Sequence, residues 1–337
     1  VLGETEASNM LVRYFEMLAL PEVEVVSVKI STLYSQVNPL AREHTIAVLT
    51  ERLEKLFLAA AEQTFIRPNG DRGAKFVYLD MEEYRDMHLT ADAFMQTLDR
   101  EGMEQVSAGI VLQAYLPDAY VMQQKLNAWA HNRVLAGGAP IRLRLVKGAN
   151  MEMERIEAAI SGWPQAPFKV KADSDANFKR MLHEAMIEEN LAAVRPGIAS
   201  HNLFDLAYGL LLVREQDASS KVRLEMLEGM AAHQRRALAD QTDNLLLYAP
   251  ACHDEEFISA IGYLIRRLDE NTGPDNFLRH AFHITVDDPE WSRLEEMFLE
   301  SVCRIKSLPD NPNRQQDRRH PPVAPKIEDD WREFSNE

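Results

Sequence analysis

The chain has 337 residues, 46% of them hydrophobic, with 37 Lys and Arg against 53 Asp and Glu and a formal net charge of -16. That length accommodates two ordinary domains or one large α/β barrel with a sizeable core, and the acidic balance argues against a nucleic-acid or anionic-membrane surface. The two cysteines, Cys252 and Cys303, lack metal spacing and suit a reducing, cytoplasmic compartment, while no apolar run is long enough to span a bilayer and no signal segment opens the chain.

In chain order, Val1-Leu2-Gly3-Glu4 reads as the end of a strand, as in a chain excised from something longer. A helical pattern at 6–19 precedes a strand at 23–30, and a long helix at 39–63 precedes a strand at 75–80. Next come a helix at 81–100, a strand at 109–113 and a helix at 119–134, which Gly137-Gly138-Ala139-Pro140 stops. A strand at 141–146 leads to helices at 151–160 and 175–190. The pattern then continues with a strand at 194–199, a helix at 202–214, a strand at 222–226 and a helix at 229–238. A strand at 245–248 and a helix at 254–268 close it.

With the fragment at Leu2 counted, eight strands each followed by a helix predict an α/β fold of the (β/α)8, TIM-like barrel type, with some distortion allowed. A doubly wound sheet is the competitor, but no G-x-G-x-x-G or P-loop lysine motif is present. From Ser307 onward Pro, Asn, Arg, Asp and Gln dominate. The expected division is therefore a barrel over 1–306 and a linker or surface extension over 307–337.

Barrel enzymes place their sites at the carboxyl ends of the strands. Polar residues there are Glu4, Lys29, Asp80, Gln113, Arg144 with Lys147, His201 with Asn202, and Tyr248. Singly, each has a plain alternative: Asp80, His201 and Asn202 could cap helices, and Lys29 could snorkel. Together they mark a site. Asp173-Ser174-Asp175-Ala176-Asn177 begins like a calcium loop, but Phe178 stands where the turn needs glycine, so it reads as a helix start. His201 has no partner at zinc spacing, no G-x-S-x-G elbow exists, and no metal is expected. Arg266 and Arg267 follow Tyr263 by one helical turn and suit a carboxylate, although arginines in a last turn also suit the helix dipole.

Arg144-Leu145-Val146-Lys147-Gly148-Ala149-Asn150, with Trp163-Pro164 and Lys169-Val170-Lys171-Ala172, resembles the flavin-binding segment of proline dehydrogenases. Tyr248-Ala249-Pro250 and the run from Tyr263 to Asn271 fit the same family, as do Ser27-Val28-Lys29-Ile30-Ser31, Ser200-His201-Asn202 and Leu227-Glu228-Gly229-Met230. The likeness reaches about Phe282. It is strongest to the proline dehydrogenase domain of bifunctional proline utilization A proteins, and residues 311–320 look like the linker those proteins carry toward an aldehyde dehydrogenase domain.

The resemblance implies oxidation of L-proline to Δ1-pyrroline-5-carboxylate, with hydride transfer to FAD and electrons passing on to a quinone. It implies that Arg266, Arg267 and Lys29 hold the proline carboxylate, that Tyr248, Tyr263 and Leu227 wall the ring, and that Asp80 hydrogen-bonds within the site. Gln113, Arg144, Val146, Gly148, Ala149, Lys171, His201 and Glu270 match flavin-contacting positions. Implied too are a linked or partner pyrroline-5-carboxylate dehydrogenase and a cytoplasmic location, either free or peripheral to the inner membrane. Three residues depart from the family pattern: Asn150-Met151 replaces a frequent aromatic pair, and Lys169 replaces a frequent threonine. The alternatives are a barrel kept as a non-catalytic scaffold and a flavoenzyme for another cyclic amino acid such as hydroxyproline.

Overall fold

The structure, a computed structural model, describes residues 3–66, 70–252, 257–271, 273 and 275–314, without the side chains of residues 259, 266 and 269–271. Nine strands are described: β1 Val25–Lys29, β2 Thr64–Ile66, β3 Arg72–Ala74, β4 Phe76–Asp80, β5 Gly109–Gln113, β6 Ile141–Val146, β7 Val194–Ala199, β8 Arg223–Leu227 and β9 Leu245–Tyr248. Seven form one parallel sheet in the order β1-β4-β5-β6-β7-β8-β9. The other two, β2 and β3, pair as a short antiparallel hairpin. That hairpin is not among the elements predicted from sequence, although Asn69-Gly70 is a strong turn signal and Gly70 takes φ 89.

Alternation explains why the sheet is buried on both faces. One side of the strands carries Val26, Val28, Val77, Leu79, Ile110, Leu112, Leu143, Leu145, Ile198, Leu224 and Met226, all buried in the core. A parallel sheet whose crossovers are helices needs apolar residues on that side. The other side is polar and aromatic, and its contacts show that the sheet is rolled. Arg144 on β6 reaches Ser27 on β1 and Glu225 on β8, while Tyr78 on β4 donates to Glu225 at 2.9 Å. At the opposite end of the strands Arg223 on β8 meets Glu24, just before β1, at 2.8 Å. Strands far apart in the order therefore face one another across an interior, as in a barrel.

The eighth strand expected at Leu2 is not among the described residues. Glu4 is not at a strand end: it lies in the first turn of the helix Glu4–Ala19, where it bonds Arg52 and accepts from Ser35 Oγ at 3.0 Å. Acidic residues in a first helical turn favour the macrodipole, and Ala7, Tyr14 and Leu18 give this helix its buried face. The helix Pro289–Arg304, by contrast, is one the sequence pattern did not predict; it is capped by Asp288 through its bond from Trp291 N–H at 2.6 Å. It packs on the helix Lys171–Ala185, where Arg304 pairs with Asp173 at 2.8 Å and Lys179 lies 4.4 Å over the Phe298 ring.

The linker or surface extension expected from Ser307 lies along the body as far as Arg314. Asp310 pairs with Arg180 at 2.6 Å, and Asn313 donates to the carbonyls of Ala166 and Pro167 at 3.1 Å each. Arg314 is buried against Glu154 and Glu157. Among the described residues no helix is long and apolar enough to cross a membrane.

Candidate active site

A cavity of ≈ 230 Å³ opens at the carboxyl ends of the strands, as barrel geometry requires. It is lined by Lys29 of β1, Asp80 of β4, Gln113 of β5, Arg144 and Val146 of β6, Leu227 of β8 and Tyr248 of β9. Lys147, Gly148, Ala149, Asn150, Lys171, His201, Tyr263 and Arg267 complete most of the wall. The expected site residues thus share one cavity, apart from Glu4, which lies in the first helix, and Arg266 and Glu270, whose side chains lie outside those described.

Arg144 is at the centre of the floor. Its guanidinium pairs with Glu225 through Nε, with Asp80 Oδ1 at 3.3 Å and with Ser27 Oγ at 3.1 Å through Nη1. It lies 4.0 Å from the Tyr78 ring centroid and 4.8 Å from that of Tyr248. Burial works against the charge on Arg144, but Glu225 and Asp80 outweigh it and hold the pKa above the usual range. Asp80 is raised by burial, against the pull of Arg144 and Lys29. Tyr248 is pushed up to about 12, mainly by burial, so its phenol stays protonated. The Nη2 of Arg144 is buried with no hydrogen-bond partner among the described residues.

Asp80 caps no helix, because the next α-helix, Met87–Leu98, begins seven residues later. The intervening loop is held by polar contacts. Gln113 Nε2 donates to the carbonyls of Met81 at 3.1 Å and Glu82 at 3.3 Å, and Asn150 Nδ2 donates to Glu82 O at 2.9 Å. Glu82 also pairs with Lys29 at 3.3 Å. Asn150, a departure from the family pattern, therefore ties the β6 loop to the β4 loop. Gln113 Oε1 remains buried without a partner among the described residues.

One flank is built from cations. The helix Lys171–Ala185 starts four residues earlier than the sequence predicts, which stacks Lys171 on Asp175 at i,i+4, 2.5 Å apart. Lys147 pairs with Asp175 at 2.5 Å and Asp205 at 2.6 Å, and Lys179 reaches Asp205 at 2.9 Å. Burial opposes the charge on Lys147, yet the two aspartates outweigh it and raise its pKa. Lys147 and Lys171 thus bring ammonium groups with donors to spare. Gly148 connects them to the floor. Its φ of 134 is a glycine conformation, and a Cβ there would stand 2.5 Å from the Tyr115 ring.

His201 and Asn202 divide the roles that their position suggested. Asn202 caps the helix Leu203–Glu215, accepting from Phe204 N–H at 2.9 Å. His201 instead accepts the Leu227 N–H at Nε2, 3.3 Å away. That bond assigns the proton to Nδ1, which is buried and has no partner among the described residues. Burial lowers the His201 pKa from 6.5 to about 4, so the ring is neutral near pH 7. Because the folded pKa is the lower one, the unfolded chain binds the proton first as pH falls from 6.5 toward 4. Stability contributed by neutral His201 is intact above that window and lost within it, on the order of 3 kcal/mol. Denaturant unfolding at the two ends of the window is expected to show a smaller loss in His201→Leu than in the unaltered chain. Equal losses would mean that His201 is not held neutral.

The upper wall comes from the helix Phe257–Asn271. Arg267 Nη1 donates to Ala149 O at 3.3 Å, and its guanidinium lies 5.2 Å over the Tyr263 ring. That helix is thereby joined to the β6 loop across the cavity mouth. The short helix Phe277–His280 adds Phe277 and Leu278, with Asn276 before it, none of which the strand-end rule could find. Nor does that rule find Glu225, Asp175 or Asp205. Glu225 had a signal: it is the one acid in β8, on the same face as Leu227.

The sequence model for the proline dehydrogenase family matches residues 2–280. Among solved structures, proline utilization A from Corynebacterium freiburgense superposes with TM-score 0.81 and 38% identity over 94% of this chain. The Bdellovibrio bacteriovorus proline utilization A inactivated by N-propargylglycine gives 0.76 and 29% over 94%. The chain spans 30% and 32% of those two proteins, about a third of their length. No curated protein sequence matches the chain at a significant level. A family model covering most of the sequence, joined to a rolled parallel sheet whose carboxyl end gathers the family's motifs, identifies this chain as a member of the proline dehydrogenase family.

Proposed function

We propose that the chain oxidises L-proline to Δ1-pyrroline-5-carboxylate with FAD as cofactor. The observation that carries this reading is the cavity that gathers Arg144, Gln113 and His201, each with a buried polar atom lacking a partner among the described residues, beside the ammonium groups of Lys147 and Lys171. A flavin dinucleotide fits that donor set, since its ring system offers both acceptors and donors and its pyrophosphate is anionic. Arg144, Gln113 and His201 with Val146, Gly148 and Ala149 would hold the ring and linker, Lys171 the pyrophosphate, and Glu270 a further contact. Bound FAD supplies the acceptor for the hydride leaving the proline ring carbon.

The chain's own residues bind, orient and exclude water. Arg267 and Arg266, with Lys29, clamp the carboxylate and leave the reacting end of the ring against Tyr248, Tyr263 and Leu227. Asp80, with Glu225, holds the Arg144 guanidinium in place. The seven strands of the parallel sheet belong, in this reading, to a (β/α)8 barrel over 1–306, with 307–337 a linker or surface extension. A quinone takes the electrons, a linked or partner pyrroline-5-carboxylate dehydrogenase takes the product, and the protein works in the cytoplasm or at the inner membrane surface.

The direct test is the absorption spectrum of the purified protein after addition of FAD. Flavin bands that bleach with L-proline under anaerobic conditions are expected. Absence of bound flavin would leave a non-catalytic scaffold, and bleaching by hydroxyproline in preference to proline would reassign the substrate.

A further inference from the structure

We infer that Glu225 is a positioning residue that sets both the orientation and the effective charge of Arg144 toward the bound flavin, an inference that rests on the flavin reading above. Glu225 is fully buried (0% exposed) and does not line the cavity. Its two oxygens are divided: Oε1 accepts from Tyr78 Oη at 2.9 Å and Oε2 pairs with Arg144 Nε. Arg144 Nη1 is taken by Asp80 and Ser27, which leaves Nη2 as the donor without a partner among the described residues. A planar guanidinium gripped at Nε and Nη1 cannot rotate, so Nη2 is fixed for a ligand acceptor.

The backbone is shaped around this carboxylate. Gly197 of β7 stands beside it, and a Cβ at Gly197 would fall onto Glu225 Oε1 and within 3.1 Å of Tyr78 Oη. A buried carboxylate is costly, and a barrel interior filled only for packing is apolar. Its placement also has an electrostatic consequence. Glu225 and Asp80 together place two negative charges on one guanidinium, so the positive field that Arg144 offers the flavin is offset. Because the Arg144–Glu225 pair is itself buried, that offset is weakly screened and bears on which oxidation state of the flavin binds better.

Glu225→Gln is isosteric and keeps both contacts: the amide oxygen can accept from Arg144 Nε while the amide nitrogen donates to Tyr78 Oη. Only the charge is removed. The oxidised-to-reduced equilibrium of the bound FAD is then expected to move toward the reduced form by about tenfold, which for a two-electron couple is ~30 mV. Tyr78→Phe keeps the charge and deletes the donor that partly neutralises it, so the shift is expected in the opposite direction and smaller, roughly threefold. Both are read by spectroelectrochemical titration, alongside titration of the flavin-free protein with FAD. An unaltered potential in whichever variant folds and binds FAD overturns the inference, and if neither folds Glu225 is structural and the inference falls. Failure of the unaltered protein to take up FAD overturns the flavin reading instead, and this inference with it.

Discussion

Arg144→Met is expected to cost about 3–5 kcal/mol of stability and to abolish tight FAD binding. The size of the effect comes from what the arginine leaves behind. Glu225 has no surface exposed and pairs with Arg144 Nε, and Asp80 sits 3.3 Å from Nη1. Methionine replaces the stem but none of the donors. Two carboxylates then share an interior with no cation between them, and the rings of Tyr78 and Tyr248 lose the guanidinium they flank. Most of the loss comes from leaving a charge desolvated and unpaired, since a surface ion pair would be worth only about 0–1 kcal/mol. Thermal unfolding should fall by roughly 10 °C. Arg144→Lys is expected to recover only part of this, because an ammonium cannot serve Nε and Nη1 contacts in one plane. A melting temperature and FAD affinity unchanged in the methionine variant would show that the cluster does not depend on this cation.

Arg267→Met should separate substrate binding from folding. The KM for L-proline is expected to rise about 10- to 100-fold, matching the loss of a charge-assisted hydrogen bond worth about 1.5–3 kcal/mol. The half-buried Arg267 lies at the cavity mouth, where its Nη1 meets Ala149 O at 3.3 Å. Stability should therefore move far less than in Arg144→Met, and kcat less than KM, the signature of an interaction made equally with ground and transition states. Arg266→Met, compared in parallel by steady-state kinetics, tests whether the pair acts together. Proline KM values within threefold of the unaltered protein in both variants would exclude the carboxylate clamp.

Particular residues show where the sequence could be read and where it could not. The runs forming β5, β6, β7 and β9 have the bounds that their apolar character predicts, because a strand covered by helices is bounded where that character stops. The stretch after Asp80 misleads for the converse reason. Met81, Glu82 and Glu83 fit a helical pattern, yet the carbonyls of Met81 and Glu82 are taken by Gln113 and Asn150, and the helix is delayed to Met87. Glu4 and the helix Pro289–Arg304 are not legible from local cues alone, since a helix start and a strand end both tolerate Gly-Glu, and proline marks helix openings as well as linkers.

The sequence by itself determined the seven strands of the parallel sheet in their order, the positions of Lys29, Asp80, Gln113, Arg144 and Tyr248 on or at the ends of those strands, and the family motifs from Arg144 to Asn150, because strand periodicity and motif spacing are local properties. Only the tertiary structure decided which residues answer one another across the sheet. Arg144, Glu225, Tyr78 and Asp80 come from three separate strands. Lys147, Asp175 and Asp205 come from segments that no spacing links. Rolling the sheet brings distant strands face to face, and pairing charges in that interior depends on distances through space that the order of residues does not contain.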